Sequence, residues 1–208
     1  VNMPGGMHSA TVTDSVDCSS VVNVTINEPD AITISSEIPT DISCNGLTDG
    51  KITIIVSGGT GTLDFSIDSG ATYPDSTGVF TGLGAGSYNV SVQDSNGCTT
   101  TGSTLVIMEP VAVTISSEIA TDATCNGAND GTITIGATGG IGTINYSIDS
   151  GSTYPSTTGI FTALAPGTYG VSVQDANGCT TAGSTLTVTE PSAISIDTES
   201  STDVLCNG

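Results

Sequence analysis

Basic residues are almost missing from this chain. Lys51 is the only one among 208 residues, there is no Arg, and 21 carboxylates leave a formal net charge of −20. Nucleic-acid binding needs Lys or Arg to neutralise phosphates, so that class is excluded. Attraction to anionic lipid headgroups goes with it. The acidic residues are spread along the chain, which suits solubility and mutual repulsion. Trp is absent and aromatics make up 4 % of the residues, so the stacking surfaces of a sugar-cleaving cleft are scarce. His8 is the only histidine, which leaves the cysteines without a base for nucleophilic catalysis. No apolar run is long enough to span a bilayer, so this segment has no direct membrane insertion. No stretch carries apolar residues at the i, i+3, i+4, i+7 spacing of a helix. The expectation is an all-β chain that is not an enzyme.

What the chain has instead is repetition. Cys44, Cys125 and Cys206 recur at intervals of 81, as do Cys98 and Cys179, and Glu28-Pro29, Glu109-Pro110 and Glu190-Pro191. Residues 30–110 and 111–191 agree at 52 of 81 positions without a gap, which makes them two copies of one unit. Residues 1–29 read as the C-terminal part of a preceding repeat, and residues 192–208 as the N-terminal part of a following one. The chain reads as a window onto a longer array, and arrays of this kind are built for length.

Within a unit, apolar residues alternate with polar ones. Ile133 and Ile135 alternate with Thr132 and Thr134, and Tyr169, Val171 and Val173 with Gly170 and Ser172. Each such run places one face on a core and one in water. About seven strands result, over 112–118, 132–138, 144–149, a poorly defined segment near 152–157, 160–164, 168–175 and 180–189. Asn177-Gly178 signals a type I′ hairpin, with positive φ at both residues. Seven short strands in about 80 residues predict an immunoglobulin-like β-sandwich, and tandem units predict sandwiches placed end to end. Tyr88 and Tyr169 each follow a tight turn into a strand, the place of a tyrosine corner, in which the hydroxyl bonds back to the backbone. His8 stands at the matching position of the first partial unit. Residues 14–18 lack the Asn-Gly turn and mark that unit as degenerate.

The order Cys-Asn-Gly-x-x-Asp-Gly, Gly-Gly-x-Gly, Ser-Ile-Asp-Ser-Gly, then Leu-x-x-Gly-x-Tyr-x-Val-x-Val-x-Asp-x-Asn-Gly-Cys runs from Cys44 to Cys98 and again from Cys125 to Cys179. This pattern resembles the SprB-type repeat of Bacteroidetes cell-surface adhesins. The resemblance implies an extracellular filament or adhesin stalk exported by type IX secretion, serving gliding motility or attachment. Its work would be mechanical, giving reach and tensile strength. Its partners would be neighbouring repeats of the same chain, with surface glycans or other cells met through other parts. Two alternatives stand beside this reading. The repeats themselves bind glycans or proteins, or the chain is a subunit of a filament assembled by strand complementation.

Six cysteines at fixed phase, with no CxxC, point to disulfides in an oxidising setting. In a sandwich, Cys125 lies in the corner between the first two strands, and Cys179 opens the last strand. A strand of about 8 residues, roughly 25 Å, separates those places, whereas a disulfide needs Cα atoms within about 7 Å. The favoured pair is therefore Cys44–Cys179, across a junction. Pairing within a unit, Cys44–Cys98 and Cys125–Cys179, remains open, as does Cys98–Cys125. Cys18 and Cys206 belong to the same set. Asp49 and Asp130 in the Asn-Gly-x-x-Asp-Gly corner are candidate calcium ligands, with turn chemistry as the competing reading. No other cofactor or metal is implied. Glu-Pro reads as a short, stiff linker.

Overall fold

The computed structural model describes residues 3–202. Those residues form strands and loops, with no helix among them. They divide into two compact units. The first is Val1–Ile42 with Leu47–Met108, and the second is Ser43–Gly46 with Glu109–Gly208. Four residues that lie inside the first repeat by sequence thus belong structurally to the second unit.

In the first unit, β3 (Thr33–Thr40), β4 (Gly50–Ser57) and β6 (Val79–Leu83) form one antiparallel sheet in the order β3-β4-β6. β5 (Leu63–Ser66), β7 (Gly86–Asp94) and β8 (Thr99–Ile107) form the second, in the order β5-β7-β8. The two sheets share a core of Ile52, Ile54, Phe65, Phe80, Val90, Val92, Leu105 and Ile107. Burying each large aliphatic side chain there stabilises by about 1.5–3 kcal/mol. The second unit repeats this plan. β9 (Thr114–Thr121), β10 (Gly131–Thr138) and β12 (Ile160–Leu164) face β11 (Asn145–Ser147), β13 (Gly167–Gln174) and β14 (Thr180–Val188) around Ile133, Ile135, Tyr146, Val171, Val173 and Val188. Two facing antiparallel sheets with this strand order make each unit an immunoglobulin-like sandwich.

The segment near 152–157 is reduced to one bridge, between Tyr146 and Ser156, so six strands carry the ladders of each sandwich. The Thr153 amide is spent on the Asp149 carboxylate at 2.9 Å, and Pro155 has no N–H to give. The loop instead covers the outer face of β13. Tyr154 OH lies 3.0 Å from Ser172 Oγ, so Ser172 is buried where alternation expected it in water.

Hairpin β1 (Gly6–Thr13) with β2 (Ser19–Ile26) belongs to the first unit and pairs in straight register. Val12 is 73 % exposed on it, whereas Val92, at the matching place on β7, is fully buried.

Both complete units carry a bulge in the last strand pair, between Asn89 and Ser91 and between Gly170 and Ser172. A carboxylate from the first strand fills the gap. Glu37 Oε1 accepts the Ser103 amide at 2.9 Å, and Glu118 Oε1 accepts that of Ser184 at 2.8 Å. A Cβ on Gly102 would collide with Glu37 Oε1, and one on Gly183 with Glu118 Oε1. These glycines are therefore set by close approach and not by φ.

Candidate functional site

The hairpin before Cys179 is built on one aspartate. Asp175 is buried, and its Oδ1 accepts the amides of Asn177 and Cys179, each at 2.9 Å. Its Oδ2 accepts the Ile141 amide at 2.8 Å. Asp94 does the same for Asn96, Cys98 and Thr60. With the carboxylate holding two loop amides, the turn lengthens to three residues, and the expected type I′ turn does not form. Gly97 and Gly178 have positive φ, at 82° and 87°, and the asparagines before them do not. This is a type I turn closed by a left-handed residue.

The same loop survives in the segment read as degenerate. Asp14 Oδ1 accepts the amides of Val16 and Cys18, each at 2.9 Å, and Asp17 takes the left-handed position at φ 66°. His8 likewise replaces the corner tyrosine. Tyr88 and Tyr169 hydroxyls donate to the carbonyls of Gly84 and Ala165, four residues back, at 2.9 and 2.7 Å. His8 Nε2 meets Pro4 O at 2.6 Å with the same offset. A carbonyl only accepts, so Nε2 carries the proton.

The second cysteine-bearing element is the Cys-Asn-Gly corner, and the Glu-Pro pair clasps it. Glu109 Oε2 accepts the Gly46 amide at 3.1 Å, and Asn45 Nδ2 donates to Pro110 O at 3.0 Å. One repeat on, Glu190 Oε2 accepts the Gly127 amide at 2.6 Å, and Asn126 Nδ2 donates to Pro191 O at 3.2 Å. Glu-Pro is thus more than a linker, because it fixes the turn that presents the cysteine. Sequence reasoning missed this role, although the shared 81-residue recurrence of Asn-Gly and Glu-Pro was the available signal.

Within the second unit, corner and hairpin meet. Cys44 and Cys179 form a disulfide with Cα atoms 5.6 Å apart. Asn177 Nδ2 donates to Ser43 O at 3.1 Å, and the same carbonyl lies 3.3 Å from Cys179 Sγ, a contact without a proton to share. Cys18, Cys98 and Cys125 are exposed free thiols. Cys206 lies outside the described residues.

The carboxylates of the corner bind their own loop. Asp130 Oδ1 accepts the Thr124 amide at 3.0 Å, and Oδ2 accepts the Thr124 hydroxyl at 2.5 Å. The Thr124 hydroxyl, then its amide, lower the Asp130 pKa. Asp49 at the matching place is also engaged. Among the described residues no three His, Cys, Asp or Glu side chains gather as a metal site. The Ser-Ile-Asp-Ser-Gly motif closes on itself more tightly. Asp149 Oδ1 accepts the Ser147 hydroxyl at 2.6 Å, and its Oδ2 accepts that of Thr153 at 2.6 Å. These two bonds, with the Thr153 amide, lower its pKa to about 2. Asp68 has the matching set from Ser66 and Thr72, with the same result.

The model of the SprB repeat family matches residues 36–72 and 117–153. Each matched stretch runs from the first strand of a unit into its Ser-Ile-Asp-Ser-Gly loop. Among solved structures, a C-terminal 282-residue fragment of intimin in complex with the intimin-binding domain of its translocated receptor is 17 % identical, at a TM-score of 0.35. That match covers 76 % of this chain and 64 % of the fragment, so the chain spans less than two thirds of its length. Extracellular domains 3–5 of Drosophila OTK are 15 % identical at a TM-score of 0.39, over 90 % of this chain and 72 % of that one. No curated protein matches the chain. The SprB-repeat matches point to a repeat region of a cell-surface protein. No helix among the described residues is long and apolar enough to cross a membrane.

Proposed function

We propose that this chain is a stretch of structural repeats from a long extracellular filament or adhesin stalk, and that its work is to give reach and to bear tension. One observation carries the reading. The Ser43–Gly46 segment of one repeat is incorporated into the unit that contains the next, and the Cys44–Cys179 bond closes it across 135 residues of sequence. Such a bond hides chain length from a pulling force. A span of 135 residues extends to roughly 450–490 Å once released, at 3.3–3.6 Å per residue. The SprB repeats and the near absence of cleavable basic residues support an exposed surface setting. Attachment or gliding motility is the use to which such a stalk would be put.

The test is immunogold labelling of intact cells with antibody raised against residues 30–191. Label on fibres outside the cell is the expected result. Label that appears only after permeabilisation overturns the proposal.

A further inference from the structure

The first unit has a cavity of 320 Å³ between Pro29–Ile32 and the hairpin residues Asp94 and Cys98–Thr100. Its counterpart in the second unit is the place where Ser43–Gly46 is seated. Each group that grips that segment has an equivalent 81 residues earlier. Glu109 corresponds to Glu28, Pro110 to Pro29, Asn177 to Asn96 and Cys179 to Cys98. Asp94 shapes the Cys98 loop with the same amide bonds that Asp175 gives the Cys179 loop. Cys98 lines the cavity and carries an exposed free thiol. The Glu28 carboxylate accepts the Gly5 amide at 2.7 Å, as Glu109 accepts that of Gly46.

We propose that this cavity is a docking site for the Ser/Thr-Cys-Asn-Gly corner of another SprB-type repeat, which Cys98 then captures as a disulfide. The inference rests on the repeat-region reading and names the partner of that region. The occupant is set by the second unit, where the segment Ser43-Cys44-Asn45-Gly46 fills the equivalent place through four identifiable contacts. Asn96 would take the carbonyl of the residue before the incoming cysteine. Pro29 O would take the carboxamide of the following asparagine, and Glu28 would exchange the Gly5 amide for that of the incoming glycine. Docking comes before bonding, because it holds two sulfurs together and raises their effective concentration. In an oxidising medium the two thiols give up two protons and two electrons to a small disulfide oxidant, which leaves as two thiols.

The experiment uses the 208-residue chain and a synthetic peptide of the sequence of residues 119–130. The peptide's cysteine carries a 5-thio-2-nitrobenzoate leaving group. A protein thiolate attacks the peptide sulfur, the new disulfide forms, and the coloured aromatic thiolate departs, so no further oxidant is needed. Cys18 and Cys125 in the same molecule serve as exposed controls. Mass mapping after partial reaction should show Cys98 labelled about tenfold faster than either, the gain expected of a pre-docked thiol. A scrambled peptide should label all three alike. Asn96→Ala and Glu28→Gln should each remove most of the preference and leave the scrambled-peptide rate at Cys98 unchanged, with a far-UV circular dichroism spectrum and melting temperature like those of the parent chain to verify that the variants are folded. Labelling of Cys98 no faster than Cys18, or a preference that survives scrambling, overturns the proposal. Either failure leaves the cell-surface reading standing, since the immunogold experiment tests that separately.

Discussion

Glu109 holds the amide of Gly46, two residues past Cys44 and 63 residues back along the chain. One carboxylate thereby fixes the turn from which the disulfide departs. A charge-assisted hydrogen bond at an exposed site contributes about 1 kcal/mol. Glu109→Ala should lower the melting temperature of the second unit by roughly 4–8 °C and quicken reduction of Cys44–Cys179 by dithiothreitol. Glu190→Ala removes the matching clasp, on a corner whose cysteine is free. It should cost similar stability and leave the reduction rate alone. Equal reduction rates in both variants would show that the clasp does not act on the disulfide.

The bond itself should contribute far more. Closing 135 residues of sequence removes denatured-state entropy, and loss of such a link typically costs about 2–5 kcal/mol. Cys44→Ser and Cys179→Ser should each shift the denaturant midpoint of the second unit downward by the same amount. Dithiothreitol should do this to the parent chain and have no further effect on either variant. A reductant effect that persists in Cys44→Ser would mean that a different pair carries the stability.

The sandwich was legible because alternation and turn residues repeat at a fixed phase, and Ile133, Ile135, Val171 and Val173 fall on the core as their pattern requires. Less legible was everything decided by side chains bonding to backbone. Asn177-Gly178 carries the composition of a two-residue turn, yet Asp175, two residues earlier, lengthens it by taking two amides. Ser172 looks solvent-facing by alternation, yet Tyr154 from a loop 18 residues back covers it. Glu37 and Glu118 look like surface charges on a strand, and they satisfy bulges 66 residues away. Such long-range capture leaves no periodic trace, so a single sequence exposes it only through recurrence of both partners.

Asp17 offers a direct test of the retained hairpin. It sits at φ 66° where the complete units have Gly97 and Gly178. A non-glycine residue in that region costs roughly 1 kcal/mol, and Asp tolerates it better than most. Asp17→Gly should therefore leave the β1–β2 hairpin intact, with slower amide exchange at Val16 and Cys18. Gly178→Ala, the reverse change in the second unit, should destabilise by about 1–2 kcal/mol. If Asp17→Gly instead speeds exchange, Asp17 is held there by something other than backbone preference.

Acid should find the Ser-Ile-Asp-Ser-Gly loops last. Asp68 and Asp149 fall from 3.8 to about 2, first through the Ser66 and Ser147 hydroxyls and then through Thr72 and Thr153. A depressed carboxylate contributes stability that is fully present above its unfolded value and lost as pH falls through its folded value. The contribution of these two residues should therefore be flat above about pH 4 and disappear between about pH 4 and pH 2. Carbon-detected titration of the carboxyl groups should place both midpoints near the lower limit. Ser66→Ala and Ser147→Ala should each raise the midpoint of the aspartate two residues on and move the acid limb of unfolding to higher pH. Midpoints near the ordinary aspartate value in the parent chain would mean that the loop hydroxyls do not hold these charges.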